Sequence, residues 1–557
     1  MVSFRISIYF ICRWENFVFP SLFIFYSFND RLEYSPFFEH MLNKLFKKRD
    51  FLMSKKTVIA GTLILTSASL ITKVIGFFYR VYMVNLIGSE GMGLYQLIMP
   101  IYMLTWSITS SGFTTTISKL TAQEKAKNQT GNMGRILKQS LFMTITASII
   151  ISSFLFFCAD WFSATILKEP RTAFAFRVLA FAIPFMSSGS CIRGYFLGLQ
   201  HAIIPAISQV LEQIVRIVAI YMTASFFVPK GLNYACVCAV IGIVSGEVLS
   251  FLFVFCNYIR FKRKKKYIKK PSITVTKAFY MICSMAIPLT ASRVVSSFLS
   301  TAENILIPQR LQLFGQSATE AMSTYGELTG MAMPLILLPS AFLTSVSVSL
   351  VPEISEASAI NKRNKISTTV YTALLFSSIL SIGAGVVFAV FPKEVCYIVY
   401  GHSELGNLLF LLAFICPFLY MQMTINGLLN GLGEHTFIFQ TNVISSIINI
   451  AFIYFLIPMY GVNAYLVGWF VSLMLTMLLS LYKIYCCTQV KVQFGNCFLK
   501  PLLAGLAAGL VIRYVIQIGT PSKMFFLLCI SAVMLLYILF LMLLGCLKKE
   551  LLQTLKY

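Results

Sequence analysis

The sequence predicts an all-α polytopic membrane protein, and two observations lead to that fold class. Of the 557 residues, 58% are hydrophobic and 12% are charged, and the mean hydropathy is +0.80. This composition is typical of a chain that is solvated mainly by lipid. Apolar stretches of about twenty residues, long enough to cross roughly 30 Å of hydrocarbon, recur through most of the chain, and by that criterion we predict about fourteen transmembrane helices.

Short polar segments separate the predicted transmembrane helices. Each apolar stretch is close to the length of one crossing, so consecutive stretches are expected to run in opposite directions. The predicted spans, in chain order, are 57–79, 92–116, 136–158, 172–191, 202–227, 233–259, 276–300, 325–350, 366–391, 405–430, 437–457, 461–482, 497–518 and 523–546.

The formal net charge of +25 raises the question of a nucleic-acid partner, and the distribution of basic residues argues against one. If the segment before the first span is cytoplasmic, alternate loops are cytoplasmic too, and these loops hold most of the Lys and Arg. This is the positive-inside rule, and it predicts that both termini are cytoplasmic. The densest block, RFKRKKKYIKK at 260–270, is then expected beside anionic lipid headgroups. No soluble domain accompanies it, so no nucleic-acid partner is expected.

An internal repeat organises the chain. Identical residues recur at a constant offset of 233 positions, among them the pairs Pro184 and Pro417, Phe185 and Phe418, Ile192 and Ile425, Gly194 and Gly427, and Gly198 and Gly431. A register that persists this far indicates duplication. We therefore predict an N-lobe at 53–270 with helices 1–6, a C-lobe at 271–490 with helices 7–12, and a segment 491–557 with helices 13–14 and a cytoplasmic tail.

The repeat predicts a transporter architecture. Six crossings return the chain to the same side, so the two lobes are expected to be related by an axis along the membrane normal, with a cleft between them. Rocking of the lobes then exposes this cleft to each side in turn. The repeated GxxxG motifs, at Gly194 and Gly198 and at Gly427 and Gly431, are expected to serve close helix packing within each lobe.

Four polar residues form one stripe on the fifth predicted span. Gln209, Glu212, Gln213 and Arg216 follow the spacing i, i+3, i+4, i+7, which puts them on one face of a helix. Each charge at a helix centre costs about 2.5 to 3.5 kcal/mol in lipid, and an i,i+4 ion pair returns only about 0.2 to 0.5 kcal/mol in an isolated helix. The stripe therefore faces a hydrated cavity or other helices, and it also fits a buried ion pair that fixes helix packing.

Other ionisable residues point to the same cavity. Lys73 and Arg80 lie seven residues apart on the first span, Arg293 lies on the seventh, and Glu247 lies on the sixth. Arg80 also fits a position at the membrane interface, where its head reaches the lipid headgroups. Lys73 and Arg293 have no acid within one turn of their own helices, so we expect them to present positive charge to an anionic substrate.

Other chemistries find little support. The fourteen cysteines lie mostly within spans without a CxxC pair, and the four histidines are scattered, so no metal site or cofactor is expected. An enzyme needs paired carboxylates or a catalytic loop. The longest expected external loop, 301–324, offers only Glu303 and Glu320.

Several motifs in order resemble a known family. The runs GTLILTSASLITKVIGFFYRVYMVNLIGSEGMGLYQ, RGYFLGLQ, SQVLEQIVRI, YGELTGMAM, LPSAF and LVPEISEA resemble the stage V sporulation protein B family, within the multidrug/oligosaccharidyl-lipid/polysaccharide flippase superfamily. The resemblance covers Met53 to the C-terminus. Residues 1–52 lie outside it, and we expect them to be an extension before the true start, with an interfacial helix as the alternative.

The resemblance implies a MATE-like fold in the bacterial cell membrane and a flippase activity. The implied substrate is an undecaprenyl-pyrophosphate-linked saccharide for spore cortex peptidoglycan, with membrane lipids and peptidoglycan synthases as implied partners. The segment from Thr72 to Phe77 also resembles the first-helix motif of the lipid II flippases, which have an arginine where this chain has Lys73. Lysine keeps the charge but loses the planar fork that binds phosphate through two hydrogen bonds.

The alternative is a cation-coupled multidrug exporter of the same fold. Such a protein needs acids in its cavity, and Glu212 or Glu247 would serve as the cation site. The sign of the charge in the cleft separates the two hypotheses: a net positive cleft favours the flippase, and a net negative cleft favours the exporter.

Overall fold

The computed structural model describes residues 56–264, 270–359, 362–490, 495–516 and 523–546. The N-terminal extension 1–52, the C-terminal tail beyond residue 546 and residues 265–269 of the basic block lie outside the described residues. Within the described ranges the regular structure is entirely helical, which confirms the predicted all-α class.

The N-terminal half, residues 60–264, is built of eight α-helices. Their bounds are α1 Lys56–Trp106, α2 Gly112–Ala126, α3 Thr130–Phe157, α4 Ala159–Trp161, α5 Ala173–Ala180, α6 Ala182–Gly198, α7 Ile203–Phe227 and α8 Leu232–Lys264. A π-helical turn, Ser107–Ser111, joins α1 to α2. A second π turn, Phe162–Ile166, and two short 3₁₀ turns, Pro170–Thr172 and Val228–Lys230, lie in the connections.

The C-terminal half, residues 270–490, follows the same plan, and two more helices come after it. The bounds are α9 Val275–Leu313, α10 Ala318–Gly326, α11 Met333–Ala359, α12 Arg363–Val390, α13 Pro392–Tyr400, α14 Gly406–Ala413, α15 Cys416–Gly431, α16 His435–Tyr460, α17 Val462–Thr488, α18 Lys500–Ile516 and α19 Lys523–Leu543. π-Helical residues Glu327–Ala332 join α10 to α11, and Gly495–Leu499 precede α18.

The predicted count of fourteen spans is not confirmed. Ten helices of the described residues are long and apolar enough to cross a membrane, or twelve if each of two bent helix pairs is one span. Two features lower the count. Leu63–Ala126 is one continuous segment by this criterion, although Gly88, at φ 69°, interrupts its helix. The last apolar helix, Leu528–Leu543, falls short of a full crossing.

The prediction of an external loop at 301–324 is wrong, because most of this segment is helical. Helix α9 continues to Leu313 and contains Pro308 within it, and only a short connection precedes α10. Glu303 therefore belongs to a helix of the C-terminal half rather than to a loop. A single helical proline removes only one backbone hydrogen bond, which neighbouring helices can offset in a membrane protein, so proline did not end this helix.

The repeat seen in the sequence recurs in the bends of the chain. Pro170–Ala180 and Ala182–Gly198 meet at 45°, and Gly406–Ala413 and Cys416–Gly431 meet at 51°. Both bends occupy equivalent repeat positions. The GxxxG glycines lie on the helices that follow these bends, and each packs closely on a helix of its own half. A methyl group on Gly194 would lie 2.6 Å from the Thr114 carbonyl oxygen on α2, and one on Gly427 would lie 2.7 Å from Ser347 Cβ on α11. This confirms the predicted packing within each half.

The halves touch at a close helix crossing, which we call the glycine closure. A methyl group on Gly93 would lie 2.1 Å from the Met322 carbonyl oxygen, and one on Gly326 would lie 2.0 Å from the Ser89 carbonyl oxygen. These backbones are in contact, so no side chain larger than hydrogen fits without moving a helix. Gly93 and Gly326 are repeat-related. The oxygen atoms of Ser89 and Ser323 lie 2.6 Å apart and share a hydrogen bond across the closure.

A second contact runs along α9, and we call it the α9 seam. Thr301 donates to the Pro100 carbonyl oxygen at 3.2 Å, and Ser107 and Ser297 share a hydrogen bond. A methyl group on Gly112 would lie 2.1 Å from Thr290 Oγ1. Small residues and hydroxyl groups thus hold α9 of the C-terminal half against the end of α1, the π turn and the start of α2.

The start of α9 is held by one amide side chain at the far end of the seam. The Asn132 carbonyl oxygen accepts the backbone N–H groups of Ser272 and Ile273, at 2.8 and 3.2 Å. Its amide nitrogen donates to the buried Glu124 at 2.7 Å. The link between the halves is therefore anchored to the N-terminal half.

Replacing a glycine of the closure tests this geometry. We expect Gly93→Ala to destabilise the contact by about 1 to 3 kcal/mol, the usual cost of overpacking, because its methyl group meets backbone rather than a movable side chain. Hydrogen exchange of residues 89–104 and 322–335 in lipid should rise. The matched control is Gly134→Ala on α3, where an added methyl group meets nothing within 4 Å and a gain of about 0.5 to 1 kcal/mol is expected. Unchanged exchange in Gly93→Ala would contradict the closure.

Candidate functional site

Two cationic side chains reach across the boundary between the halves. Lys73, on α1, donates from Nζ to Thr344 Oγ1 on α11 at 2.7 Å. Arg293, on α9, donates from one guanidinium nitrogen to the Ser111 carbonyl oxygen at 2.8 Å. Each cation therefore belongs to one half and bonds to the other half, Lys73 to α11 and Arg293 to the π turn before α2.

The acceptors of these two cations are repeat-related. Ser111 and Thr344 are equivalent at the 233-residue offset, although Arg293 bonds to the backbone carbonyl of Ser111 and Lys73 to the side-chain hydroxyl of Thr344. The second terminal nitrogen of Arg293 lies 3.5 Å from Thr115 Oγ1, a long contact that adds little. Both cations are exposed, and within the described chain neither forms an ion pair. Their charge is therefore free to meet an anion.

A cavity of about 290 Å³ lies between the halves. Among the described residues that line it, Arg80 carries the only charge, and the other polar groups are hydroxyls and amides. The N-terminal half contributes Arg80, Gln96, Met99, Pro100 and Met103, and α9 contributes Ser297, Ser300, Thr301 and Asn304. The cavity is at the lower end of the range of small-ligand pockets, about 300 to 1,000 Å³. Arg80 thus faces a partly open cavity between the halves, lined by apolar groups as well as by hydroxyls and amides.

The predicted stripe on α7 divides into an ion pair, in which Arg216 is buried and Glu212 is half-buried, and two glutamines. Arg216 donates to Glu212 Oε1 at 2.7 Å, with side chains 10% and 15% exposed. Gln209 is exposed and Gln213 is half-buried. The predicted ion pair is therefore present, and it lies inside the N-terminal half rather than at the boundary with Lys73 and Arg293.

Glu247 joins the ion pair in a buried polar cluster. This residue on α8 is 4% exposed, and its Oε1 accepts a hydrogen bond from the Tyr102 hydroxyl at 2.6 Å. Glu212, Arg193 and Arg216 act on it electrostatically. The eight predicted site residues thus fall into two groups, one at the boundary between the halves and one within the N-terminal half.

Sequence reasoning missed the neutral partners. Thr344 and Ser111 accept from the two boundary cations, and Tyr102 donates to Glu247. Hydroxyl residues are frequent in membrane helices, so composition gave no reason to select these three. The repeat offset was the available signal, because it pairs Ser111 with Thr344. Arg193 donates to the hydroxyls of Ser250 and Ser190, both at 3.1 Å.

No group of three or more His, Cys, Asp and Glu residues suited to a metal ion occurs among the described residues.

Comparison with known protein families gives two matches. A family described as polysaccharide biosynthesis protein matches residues 58–358, which is more than half of the chain. The MatE family matches residues 318–455. The two matches overlap at the start of the C-terminal half and together span both halves.

Solved structures share the fold at low sequence identity. The lipid II flippase MurJ in an inward closed conformation aligns with a TM-score of 0.66 at 17% identity, over 86% of this chain and 98% of its own. An inward-facing multidrug resistance MATE transporter aligns with a TM-score of 0.62 at 14% identity, over 77% of this chain and 100% of its own. At these identities the similarity shows the fold alone, which is MATE-like as predicted.

Two curated relatives come from Bacillus subtilis (strain 168). Stage V sporulation protein B is 33% identical over 410 residues, covering 72% of this chain and 78% of the relative. Lipid II flippase MurJ is 23% identical over 427 residues, covering 72% and 77%. On this evidence the chain is a multi-pass membrane protein that belongs to the polysaccharide biosynthesis protein family, together with stage V sporulation protein B.

Proposed function

We propose that this protein is a flippase that carries the polar head of a lipid-linked saccharide precursor across the membrane by alternating access. The observation that carries the proposal is the pair of boundary cations, Lys73 and Arg293, each reaching from one half to a hydroxyl or carbonyl group of the other. A pyrophosphate group offers both cations stronger, charged acceptors than the neutral ones they now have. Substrate binding and separation of the halves are thereby linked.

The physical problem that such a protein solves is the hydrophilic head. A saccharide pyrophosphate cannot enter hydrocarbon unaided, whereas its lipid tail need never leave it. An electropositive gap between the halves, open sideways to lipid, accepts the head and leaves the tail in the bilayer. Lysine contributes a compact charge and arginine a planar fork, and neither is enclosed tightly enough to hinder release.

Arg80 is proposed as a further anion contact on the same path. It lies seven residues beyond Lys73 on α1, about 10 Å along a helix, and lines the cavity together with hydroxyl and amide groups. Such groups suit both phosphate oxygens and sugar hydroxyls. Gln209 and Gln213, the accessible members of the α7 stripe, are proposed to contact the saccharide.

The relatives support this assignment and refine it. One is named for sporulation and another is named a lipid II flippase. We therefore infer that the substrate is an undecaprenyl-pyrophosphate-linked saccharide for spore cortex peptidoglycan. The protein is a transporter rather than an enzyme, works in the bacterial cell membrane with both termini cytoplasmic, and passes its product to peptidoglycan synthases.

The sign of the boundary charge supports a flippase over a cation-coupled multidrug exporter. Lys73, Arg80 and Arg293 outnumber Glu327, the acid that lies 3.4 Å from Ser323 at the glycine closure. The half-buried Glu212 and the buried Glu247 lie inside the N-terminal half. A lipophilic cationic drug would meet repulsion at the boundary, whereas a pyrophosphate would meet attraction.

Removing either boundary cation should slow flipping. We expect Lys73→Ala and Arg293→Ala each to lower the rate by at least about tenfold, because a hydrogen bond to a charged group contributes about 1.5 to 3 kcal/mol. The measurement is the leaflet accessibility of labelled lipid-linked precursor in proteoliposomes. Arg260→Ala on α8 removes an exposed cation of the N-terminal half and serves as the matched control. Parental rates in both boundary variants would refute their role.

A second pair of substitutions separates charge from the contact with Thr344. Lys73→Arg keeps the charge, so its flipping rate should stay within severalfold of the parent. Lys73→Gln can still donate to Thr344 Oγ1 but has no charge, so it should lose as much activity as Lys73→Ala. Competition by inorganic pyrophosphate measures anion binding directly in the same vesicles. Full activity of Lys73→Gln would show that the residue acts only as a bridge between the halves.

A further inference from the structure

Two glutamine side chains join the halves by the same kind of bond. Gln96, on α1, donates from Nε2 to the Thr329 carbonyl oxygen in the π turn before α11, at 2.8 Å. Gln309, on α9, donates from Nε2 to the Ile166 carbonyl oxygen in the π turn Phe162–Ile166 of the N-terminal half, also at 2.8 Å. Each half therefore contributes one amide and one π turn. We call these two contacts the glutamine latches.

The sequence explains why these two carbonyl groups accept from a distant side chain. A carbonyl group pairs with the N–H group four residues on in an α-helix and five residues on in a π turn. Pro170 lies four residues after Ile166, and Pro334 lies five residues after Thr329. Proline has no N–H group, so each carbonyl lacks one donor of its own segment. A glutamine of the other half supplies a donor instead.

The Gln96 latch lies one helical turn from the glycine closure. Gln96 follows Gly93 by three residues, Thr329 follows Gly326 by three residues, and Gln96 and Thr329 are themselves equivalent at the 233-residue offset. The Thr329 side chain forms no copy of the latch, because its hydroxyl donates to the Tyr325 carbonyl oxygen of its own segment at 2.7 Å. The bond beside the closure therefore depends on the amide of Gln96.

The two latches differ in their access to the cavity between the halves. Gln96 lines this cavity, whereas Gln309 is not among the described residues around it. The Gln96 amide has two N–H groups and an oxygen, and the latch uses one N–H group. Asn304, which also lines the cavity, accepts from the hydroxyl of the buried Tyr325 at 2.8 Å, and the same hydroxyl lies 3.3 Å from the Gln96 backbone carbonyl oxygen. Two cavity-lining residues thus hold the C-terminal side of the closure.

We propose that Gln96 is a positioning residue through which the saccharide head of the substrate opens the glycine closure from inside the cavity. Sugar hydroxyls and phosphate oxygens accept hydrogen bonds from an amide as the Thr329 carbonyl does, and a charged oxygen accepts a stronger one. An occupant of the cavity therefore competes with Thr329 for the Gln96 amide. This inference rests on the proposed function for the identity of the occupant.

Release of Gln96 favours separation of the halves at the closure. With the amide turned into the cavity, the closure keeps the hydrogen bond between Ser89 and Ser323 and its backbone packing, but it loses the bond one turn away. A ligand shifts an equilibrium by the difference between its affinities for the two states. An occupant that binds better to the released amide therefore favours the open closure. The Gln309 latch holds the halves but does not respond to the occupant.

Hydrogen exchange of residues 322–335 in proteoliposomes, with and without labelled lipid-linked precursor, tests the Gln96 latch. In the parent, precursor should raise the exchange rate about two- to tenfold, the range expected for the loss of one neutral hydrogen bond. Gln96→Met keeps a long, flexible side chain but has no N–H donor. Its exchange rate should already be raised without precursor and should not change when precursor is added. Gln96→Leu should behave in the same way, so a folding defect in one variant does not decide the test.

Gln309→Met is the matched control, because it removes the same kind of bond away from the cavity. Exchange of residues 159–172 should rise in this variant, and precursor should still raise the exchange of residues 322–335 as it does in the parent. Loss of the precursor response in Gln309→Met as well would show general loosening of the halves and would overturn the role of Gln96.

Binding of the labelled precursor to the same proteoliposomes separates failure of this inference from failure of the proposed function. Precursor that binds to the parent but lowers or does not change the exchange of residues 322–335 would overturn the role of Gln96 and leave the proposed function standing. Absence of both binding and flipping in the parent would refute the proposed function, and the inference would fall with it. A precursor response that survives in Gln96→Met would refute the latch as the link between the cavity and the closure.

Discussion

The structure depends on the free energy of placing a charged side chain among apolar helices. A charge at the centre of a lipid-facing helix costs a few kcal/mol, so each deep charge has to reach polar partners. Lys73 and Arg293 find them across the boundary between the halves, and Arg216 finds Glu212 on its own helix. The boundary cations can exchange their neutral acceptors for a substrate, but the ion pair cannot do so without leaving a buried charge unpaired.

The contacts that join the halves suit repeated separation. Glycines bring backbones together at the closure, and the α9 seam uses hydroxyl groups such as Ser107 with Ser297. Each neutral hydrogen bond contributes only about 0.5 to 1.5 kcal/mol net. The packing of the glycines at the closure involves no charged side chain, so separating the halves there exposes no charge. Among the described residues neither contact includes an ion pair that has to be broken.

One continuous helical segment, Leu63–Ala126, connects the buried polar cluster of the N-terminal half to the boundary between the halves. It carries Gly93 at the closure, Tyr102 against Glu247 and Ser111 against Arg293. The π turn at Ser107–Ser111 gives this helix a local irregularity, and such turns are frequent at functional sites. The buried cluster and the boundary between the halves are therefore joined by one continuous helical segment.

The sequence by itself determined the helical class, the repeat, the GxxxG packing and the cationic character of Lys73, Arg80 and Arg293, because hydropathy, offset identities and charge are properties of the chain read in order. Only the tertiary structure decided that Glu212, Arg216 and Glu247 lie together within the N-terminal half and away from Lys73 and Arg293, that Thr344, Ser111 and Tyr102 are the partners, and that Glu303 is helical. Helical spacing places side chains on a common face, but it does not say which helix that face meets. Neutral hydroxyls acquire a role only when packing of distant segments brings a charge within hydrogen-bond distance.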